Sequence, residues 1–127
     1  MKHYFFCSLF FLLIFSELCY GLKTPKIIFD KKVCDFGIVK YKANSIIKIK
    51  FYYKNTGDAP LVIYNVNASC GCTVPGWTKK PISVGTRDYI SVVFKMKDKI
   101  GNVRKSLFIN TNCFEKDITL CIKGIIN

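Results

Sequence analysis

Sulfur is the one reactive element that this sequence gathers into a single stretch. Ala68-Ser69-Cys70-Gly71-Cys72-Thr73-Val74-Pro75-Gly76-Trp77 brings together two cysteines, several turn-formers and the single tryptophan. Residues two apart in an extended chain face the same side, so Cys70 and Cys72 project together. Their Cα atoms would lie about 6.5 to 7 Å apart, at the long edge of disulfide geometry, and the glycine between them lets the backbone fold more tightly. Two chemistries are open to such a pair. One is an easily reduced Cys70–Cys72 disulfide that exchanges with other thiols. The other is soft-metal ligation, copper(I) before zinc, because zinc asks for four ligands and usually wider spacing. The plain structural alternative is a compact turn whose cysteines are small buried hydrophobes or whose bridge pins the loop. Lys54, Lys79 and Lys80 are candidates for the positive charge that stabilises a thiolate.

Other chemistries are excluded by composition. The only histidine is His3, at the extreme N-terminus. That removes Ser/His/Asp and Cys/His nucleophilic sites and histidine metal ligands from the mature chain. The acids are scattered, and no phosphate-cradling glycine loop or HExxH helix is present, so the chain is not expected to be an enzyme or to carry a cofactor, copper under the thiol reading excepted. The cysteines beyond the leader are Cys34, Cys70, Cys72, Cys113 and Cys121, an odd number, so at least one stays unpaired within the chain.

Lys2 and His3, an apolar run from Phe5 to Phe15, polar Ser16-Glu17 and then Cys19-Tyr20-Gly21 read as a cleaved signal peptide over residues 1–21. The run is too short for a membrane-spanning helix of roughly 20 residues, so no transmembrane anchor is expected and the product is exported. Residues 22–127 are the size of one domain, with no internal repeat or low-complexity tract. Lys2 and Glu17 leave together, so the domain keeps the net charge of +12. A field of that sign attracts polyanions, although lysines spread along the chain are also what a solvated surface carries. Export argues against nucleic acid.

No segment holds a 3.6-residue apolar period, whereas alternation with β-branched and aromatic residues recurs throughout, so the domain is all-β. Ile27 to Val33 reads as a first strand, continued by Cys34 to Val39 through a glycine kink or bulge at Gly37. Ser45 to Lys54 sends Ile47, Ile49, Phe51 and Tyr53 inward and Lys48, Lys50, Tyr52 and Lys54 outward. Asn55 to Pro60 turns the chain. Leu61–Asn67, Tyr89–Lys95, Val103–Asn110 and Asp117–Ile126 supply the remaining strands, with Ile90, Val92, Phe94, Ile118, Leu120 and Ile122 inward. About seven strands at this spacing make an immunoglobulin-like β-sandwich. Alternating strand directions would place Cys34 and Cys121 towards the pole of the Cys70 loop, both facing outward, which predicts a Cys34–Cys121 disulfide and leaves Cys113 as the free thiol. Trp77 is read as core rather than as a ligand platform.

Asp35-Phe36-Gly37, Lys54-Asn55-Thr56-Gly57-Asp58-Ala59-Pro60-Leu61-Val62-Ile63, Ser69-Cys70-Gly71-Cys72-Thr73, Pro81 to Gly85, Gly101 and Gly124 form a succession that resembles the bacterial DUF1573 family, a domain of unknown function typical of Bacteroidetes-type bacteria. The resemblance spans about residues 29–126. It implies an immunoglobulin-like fold and a secreted or cell-envelope location, and no activity. Cys34, Cys113 and Cys121 depart from the family pattern.

The leading functional expectation is a non-enzymatic binding module that engages another envelope or extracellular protein through loops or a sheet edge. The alternatives are thiol redox or copper(I) handling by Cys70 and Cys72, and binding of an anionic glycan or lipid headgroup by lysine-rich faces, above all Lys48, Lys50, Tyr52 and Lys54.

Overall fold

The computed structural model describes residues 22–97 and 100–127. The expected signal peptide, residues 1–21, lies outside them. Eight strands follow one another: β1 (Ile27–Phe29), β2 (Val33–Val39), β3 (Ile46–Asn55), β4 (Ile63–Ala68), β5 (Thr73–Gly76), β6 (Arg87–Lys95), β7 (Gly101–Thr111) and β8 (Ile118–Ile126). They form two four-stranded sheets packed as a sandwich, the first in the order β1-β3-β6-β5 and the second in the order β2-β8-β7-β4. Among the described residues no helix is long and apolar enough to cross a membrane.

Alternation in the sequence becomes the core directly. Ile49, Phe51 and Tyr53 of β3 stand opposite Val92, Ile90 and Asp88 of β6. The apolar members of that set are buried with Leu107 and Ile109 of β7 and Ile118, Leu120 and Ile122 of β8. Each such side chain removed from water contributes roughly 1.5–3 kcal/mol before conformational entropy is counted.

Two expectations need correction. Residues 27–39 are not one kinked strand. Asp30 N–H still donates to the Tyr52 carbonyl at 3.0 Å in the first sheet, yet the Lys32 carbonyl already accepts from Cys121 N–H at 2.8 Å in the second. The chain therefore changes sheets within three residues, and β2 runs parallel to β8 rather than antiparallel. Gly37 sits at the irregularity between Asp35 and Ile38, with φ of +76° and its N–H held by Asp35 Oδ1 at 2.8 Å. Strand β5 is not among the strands that the sequence pattern predicts, because Pro75 interrupts its alternation. Proline is tolerated there because β5 is an edge strand paired only to β6.

The Asn55–Pro60 turn is anchored by a fully buried amide. Asn55 Nδ2 donates to the Ala59 carbonyl at 2.8 Å and the Ile82 carbonyl at 3.0 Å, while Oδ1 accepts from Gly57 N–H at 3.1 Å and Lys26 N–H at 3.4 Å. Gly57 lets the turn lie against the entering chain: a Cβ there would stand 2.3 Å from the Thr24 carbonyl oxygen. Replacing Asn55 with Ala leaves buried carbonyls and N–H groups without partners, and we expect a loss of about 3 kcal/mol, read as a lowered midpoint in denaturant unfolding.

Tyr53 is wholly buried and packs on Phe29 with ring centroids 5.7 Å apart. Its hydroxyl has no hydrogen-bond partner among the described residues. Burial, and secondarily the Asp88 carboxylate, push its ionisation well above the usual tyrosine range. A raised pKa means the neutral phenol is the form the fold accepts. Its stabilising contribution is complete below the unfolded value near pH 10 and is lost as pH rises above it. The Tyr53→Phe variant should be at least as stable as the parent at pH 7 and should lose less stability between about pH 9.5 and 11, as thermal midpoints across that range would show.

Candidate functional site

The cysteine pair occupies the loop that carries the chain from β4 in the second sheet to β5 in the first. Ser69 N–H donates to the Ser106 carbonyl at 2.9 Å, Thr73 N–H closes a turn onto the Cys70 carbonyl at 3.2 Å, and Lys95 N–H reaches the Cys72 carbonyl at 2.8 Å. This turn brings the Cα atoms of Cys70 and Cys72 to 5.4 Å, closer than an extended chain allows, and the two form a disulfide. Cys72 N–H points at Cys70 Sγ at 3.2 Å, and Thr73 Oγ1 lies 4.0 Å from Cys72 Sγ. Cys72 is buried beside Phe94, Met96, Val103 and Ile126, whereas Cys70 is half-buried. A shallow cavity at the bridge is bordered by Lys95 and Lys97. These, and not Lys54, Lys79 or Lys80, are the cationic residues that line it. Lys54, which the sequence offered for that role, pairs with Arg87 at the far end of β3, and Lys79 lies over the Trp77 ring at 5.3 Å.

The other thiols are separate. Cys34 and Cys121 are both unbridged, which corrects the expected disulfide between them. In the parallel pairing of β2 with β8, Cys121 faces Val33 and Cys34 faces Ile122, so the two sulfurs lie on opposite faces of the sheet. Cys34 packs against the core, and Cys121 lies on the outer face beneath its neighbours. Val33, Cys121, Ser106 and Ser69 lie in one row across the second sheet, so strand direction does not part the two cysteines; their one-residue offset does, by turning the side chains to opposite faces. Cys113 is also unbridged and is buried at the opposite end, past the Thr111–Ile63 pair. Among the described residues no three His, Cys, Asp or Glu side chains come together as a metal site.

The outward stripe of β3 acquires partners that the sequence did not reveal. Tyr52 stands opposite Tyr89, Lys54 opposite Arg87, Lys50 opposite Ser91, Lys48 opposite Val93 and Ile46 opposite Lys95. The Tyr52 and Tyr89 rings meet at 5.6 Å, Lys50 Nζ lies 4.5 Å from the centre of Tyr89, and the Arg87 guanidinium lies 5.2 Å from the centre of Tyr52. Arg87 is also bonded to Asp30 at the rim. The result is an outer face on which Lys50, Lys54 and Arg87 flank a pair of half-exposed phenol rings, with Lys48 and Lys95 further along the same strands. Trp77 is not part of it: the indole is half-buried against the core, with Nε1 lacking a hydrogen-bond partner among the described residues.

Two stacked sheets, with no helix among the described residues and joined by a cysteine-bearing crossover, define an immunoglobulin-like sandwich domain. The chain belongs to the family described as "Protein of unknown function (DUF1573)", which matches over residues 27–126. No curated protein matches it. Among solved structures it is similar to a protein of unknown function from Porphyromonas gingivalis W83, with TM-score 0.66 and 14% identity over 81% of this chain and 46% of that one. It is also similar to the ASH/PapD-like domain 7 of human CEP192, with TM-score 0.65 and 7% identity over 82% of this chain and 87% of that one. A third similar structure is the secreted serine protease VesC of Vibrio cholerae, with TM-score 0.56 and 9% identity over 81% of this chain and 23% of that one. At these identities the likeness is one of fold. The chain spans under half the length of the Porphyromonas protein.

Burial, and then the neighbouring Asp35 carboxylate, raise the Cys34 thiol above its ordinary range despite the opposing pull of Lys31. Little thiolate is then present at neutral pH, and thiolate is the reactive form. Iodoacetamide should therefore label Cys34 at pH 7.5 several-fold more slowly in the folded chain than in urea, with the difference shrinking as pH is raised. Peptide-resolved mass spectrometry of timed reactions checks this.

Proposed function

We propose that this chain is an exported, non-enzymatic immunoglobulin-like binding module whose ligand surface is the outer face of the first sheet, and whose ligand is an acidic polysaccharide. The observation that carries the reading is the Tyr52–Tyr89 ring pair with Lys50 and Arg87 stacked on it. Cations held over aromatic rings lie along the outer face of the sheet, where a carboxylate or sulfate can meet Lys50 directly and competes with Asp30 for Arg87. Residues two apart on β3 repeat at about 6.8 Å, so Lys48 and Lys50 form a row along which an extended anionic chain can lie. The phenol rings between the cations offer apolar area with a polar tip to the sugar rings of such a chain.

Recognition of a protein partner by strand addition finds less support in the edges of the sheets. β1 has three residues, β5 four with Pro75 among them, β2 is distorted at Gly37, and β4 loses register between Ile63 and Asn65. Short, bulged or proline-bearing edges are poor templates for an added strand.

The test is binding of the purified domain to polygalacturonate, with neutral dextran and anionic lipid vesicles in parallel. We expect binding to polygalacturonate alone, weakening as salt rises. The variant K50E/R87E should bind at least about tenfold more weakly, which corresponds to about 1.4 kcal/mol. The variant R104E/K123E, with the same net charge but altered on the second sheet, should keep most of its affinity. Equal loss in both variants would mean that total charge alone is responsible, and preference for vesicles would overturn the glycan assignment.

A further inference from the structure

We propose that the Cys70–Cys72 bridge is a thiol–disulfide exchange site that takes two electrons from a dithiol of a partner protein. The inference goes beyond the polysaccharide reading and does not rest on it.

The bridge is poorly suited to a structural role. The turn it spans is already closed by Thr73 N–H on the Cys70 carbonyl, and both flanks are hydrogen-bonded to neighbouring strands through Ser69 with Ser106 and Cys72 with Lys95. A cross-link between residues two apart removes little entropy from the unfolded chain, because that effect grows with the length of the closed loop. Nor does it join a second element. Other residues of the family succession have packing or backbone duties: Asn55 and Gly57 seat a turn, Asp35 holds Gly37, the Phe36 ring lies where a side chain on Gly124 would be, and Gly85 and Gly101 take positive φ. Gly71 has no such duty. A Cβ there would meet nothing within 4 Å. The space beside the glycine that joins the two cysteines is therefore open.

The surroundings favour the reduced form. Cys72 N–H, at 3.2 Å, is placed to donate to a Cys70 thiolate, the Thr73 hydroxyl lies 4.0 Å from Cys72 Sγ, and Lys95 and Lys97 border the cavity. Stabilising the dithiol makes its disulfide a stronger oxidant. Access is unequal, since Cys70 is half-buried and Cys72 only 8% exposed. An incoming partner thiolate attacks Cys70 Sγ, a partner–Cys70 disulfide forms, and the electron pair of the broken S–S bond leaves on Cys72 Sγ. The partner's second thiol, deprotonated, attacks its own sulfur in that mixed disulfide and expels Cys70 as thiolate. The partner dithiol has been oxidised to a disulfide and the pair reduced to two thiols, with the two protons of the partner thiols balancing those taken up here.

The deciding experiment equilibrates the full mature chain with graded glutathione buffers and quantifies the Cys70–Cys72 pair by alkylation and mass spectrometry. A synthetic Ser69–Thr73 peptide is the reference. The folded chain should favour the dithiol about tenfold more than the peptide does, since hydrogen bonds to a charged sulfur exist only in the fold. A structural bridge would shift the equilibrium the opposite way, and equality with the peptide or greater resistance to reduction overturns the proposal. The near-isosteric Thr73→Val variant should move the folded equilibrium several-fold back towards the disulfide, and an unmoved equilibrium counts against the proposal. With Cys72→Ser, Cys70 should form a mixed disulfide with oxidised glutathione at least tenfold faster than Cys72 does in Cys70→Ser. The reverse order refutes the assigned point of attack.

Discussion

The buried amide of Asn55 is the interaction on which the rest of the sandwich depends. It is fully enclosed, and its side chain holds three separate stretches of backbone: the entering chain at Lys26, the turn at Gly57 and Ala59, and the crossing segment at Ile82. Its main chain adds Thr86 and Gly85 to the same cluster. A buried amide with every donor and acceptor engaged specifies one arrangement, because any other leaves a polar group dry and unpaired. With that end of β3 fixed, the register of β3 against β6 is fixed too, and a shift by one residue would turn every core side chain to the solvent.

The two candidate surfaces inherit their geometry from this register. Tyr52 meets Tyr89, and Lys50 reaches the Tyr89 ring, only because Phe51 stands opposite Ile90 in the core beneath them. At the other end of the same ladder, Lys95 is paired to Ile46 on one side and hydrogen-bonded to Cys72 on the other, so the cationic face runs up to the disulfide loop. Lys95 thus belongs to both places.

Most of the family succession serves the fold rather than chemistry. Gly57 admits the backbone near Thr24 and Lys26, and Gly124 makes room for the Phe36 ring. Asp35 and Gly37 shape the bulge that lets β2 lie beside β8. These residue types are demanded by steric contact and left-handed backbone, which explains their spacing without appeal to a ligand. In the cysteine loop Cys72 and Thr73 are buried, but packing gives no reason for Gly71 or for a bridge to Cys70.

The sequence by itself determined the fold class, the inward sets on β3, β6 and β8, and the Asn55 turn, because alternation and turn chemistry are local and each residue carries its own signal. It also brought Cys70 and Cys72 to notice, since two residues of separation leave little freedom in where the sulfurs lie. Tertiary structure alone decided which strand lies beside which. The change of sheet between Phe29 and Val33 laid β2 parallel beside β8 with Val33, not Cys34, opposite Cys121, so the two thiols face opposite sides of the sheet and form no bridge. The same long-range pairing set Arg87 and Tyr89 against the lysine stripe and placed Lys95 and Lys97, rather than Lys54, along the cavity beside the disulfide loop. Pairing between residues about 40 apart depends on which apolar faces bury each other most completely. That is a property of the assembled core, and no short stretch of chain encodes it.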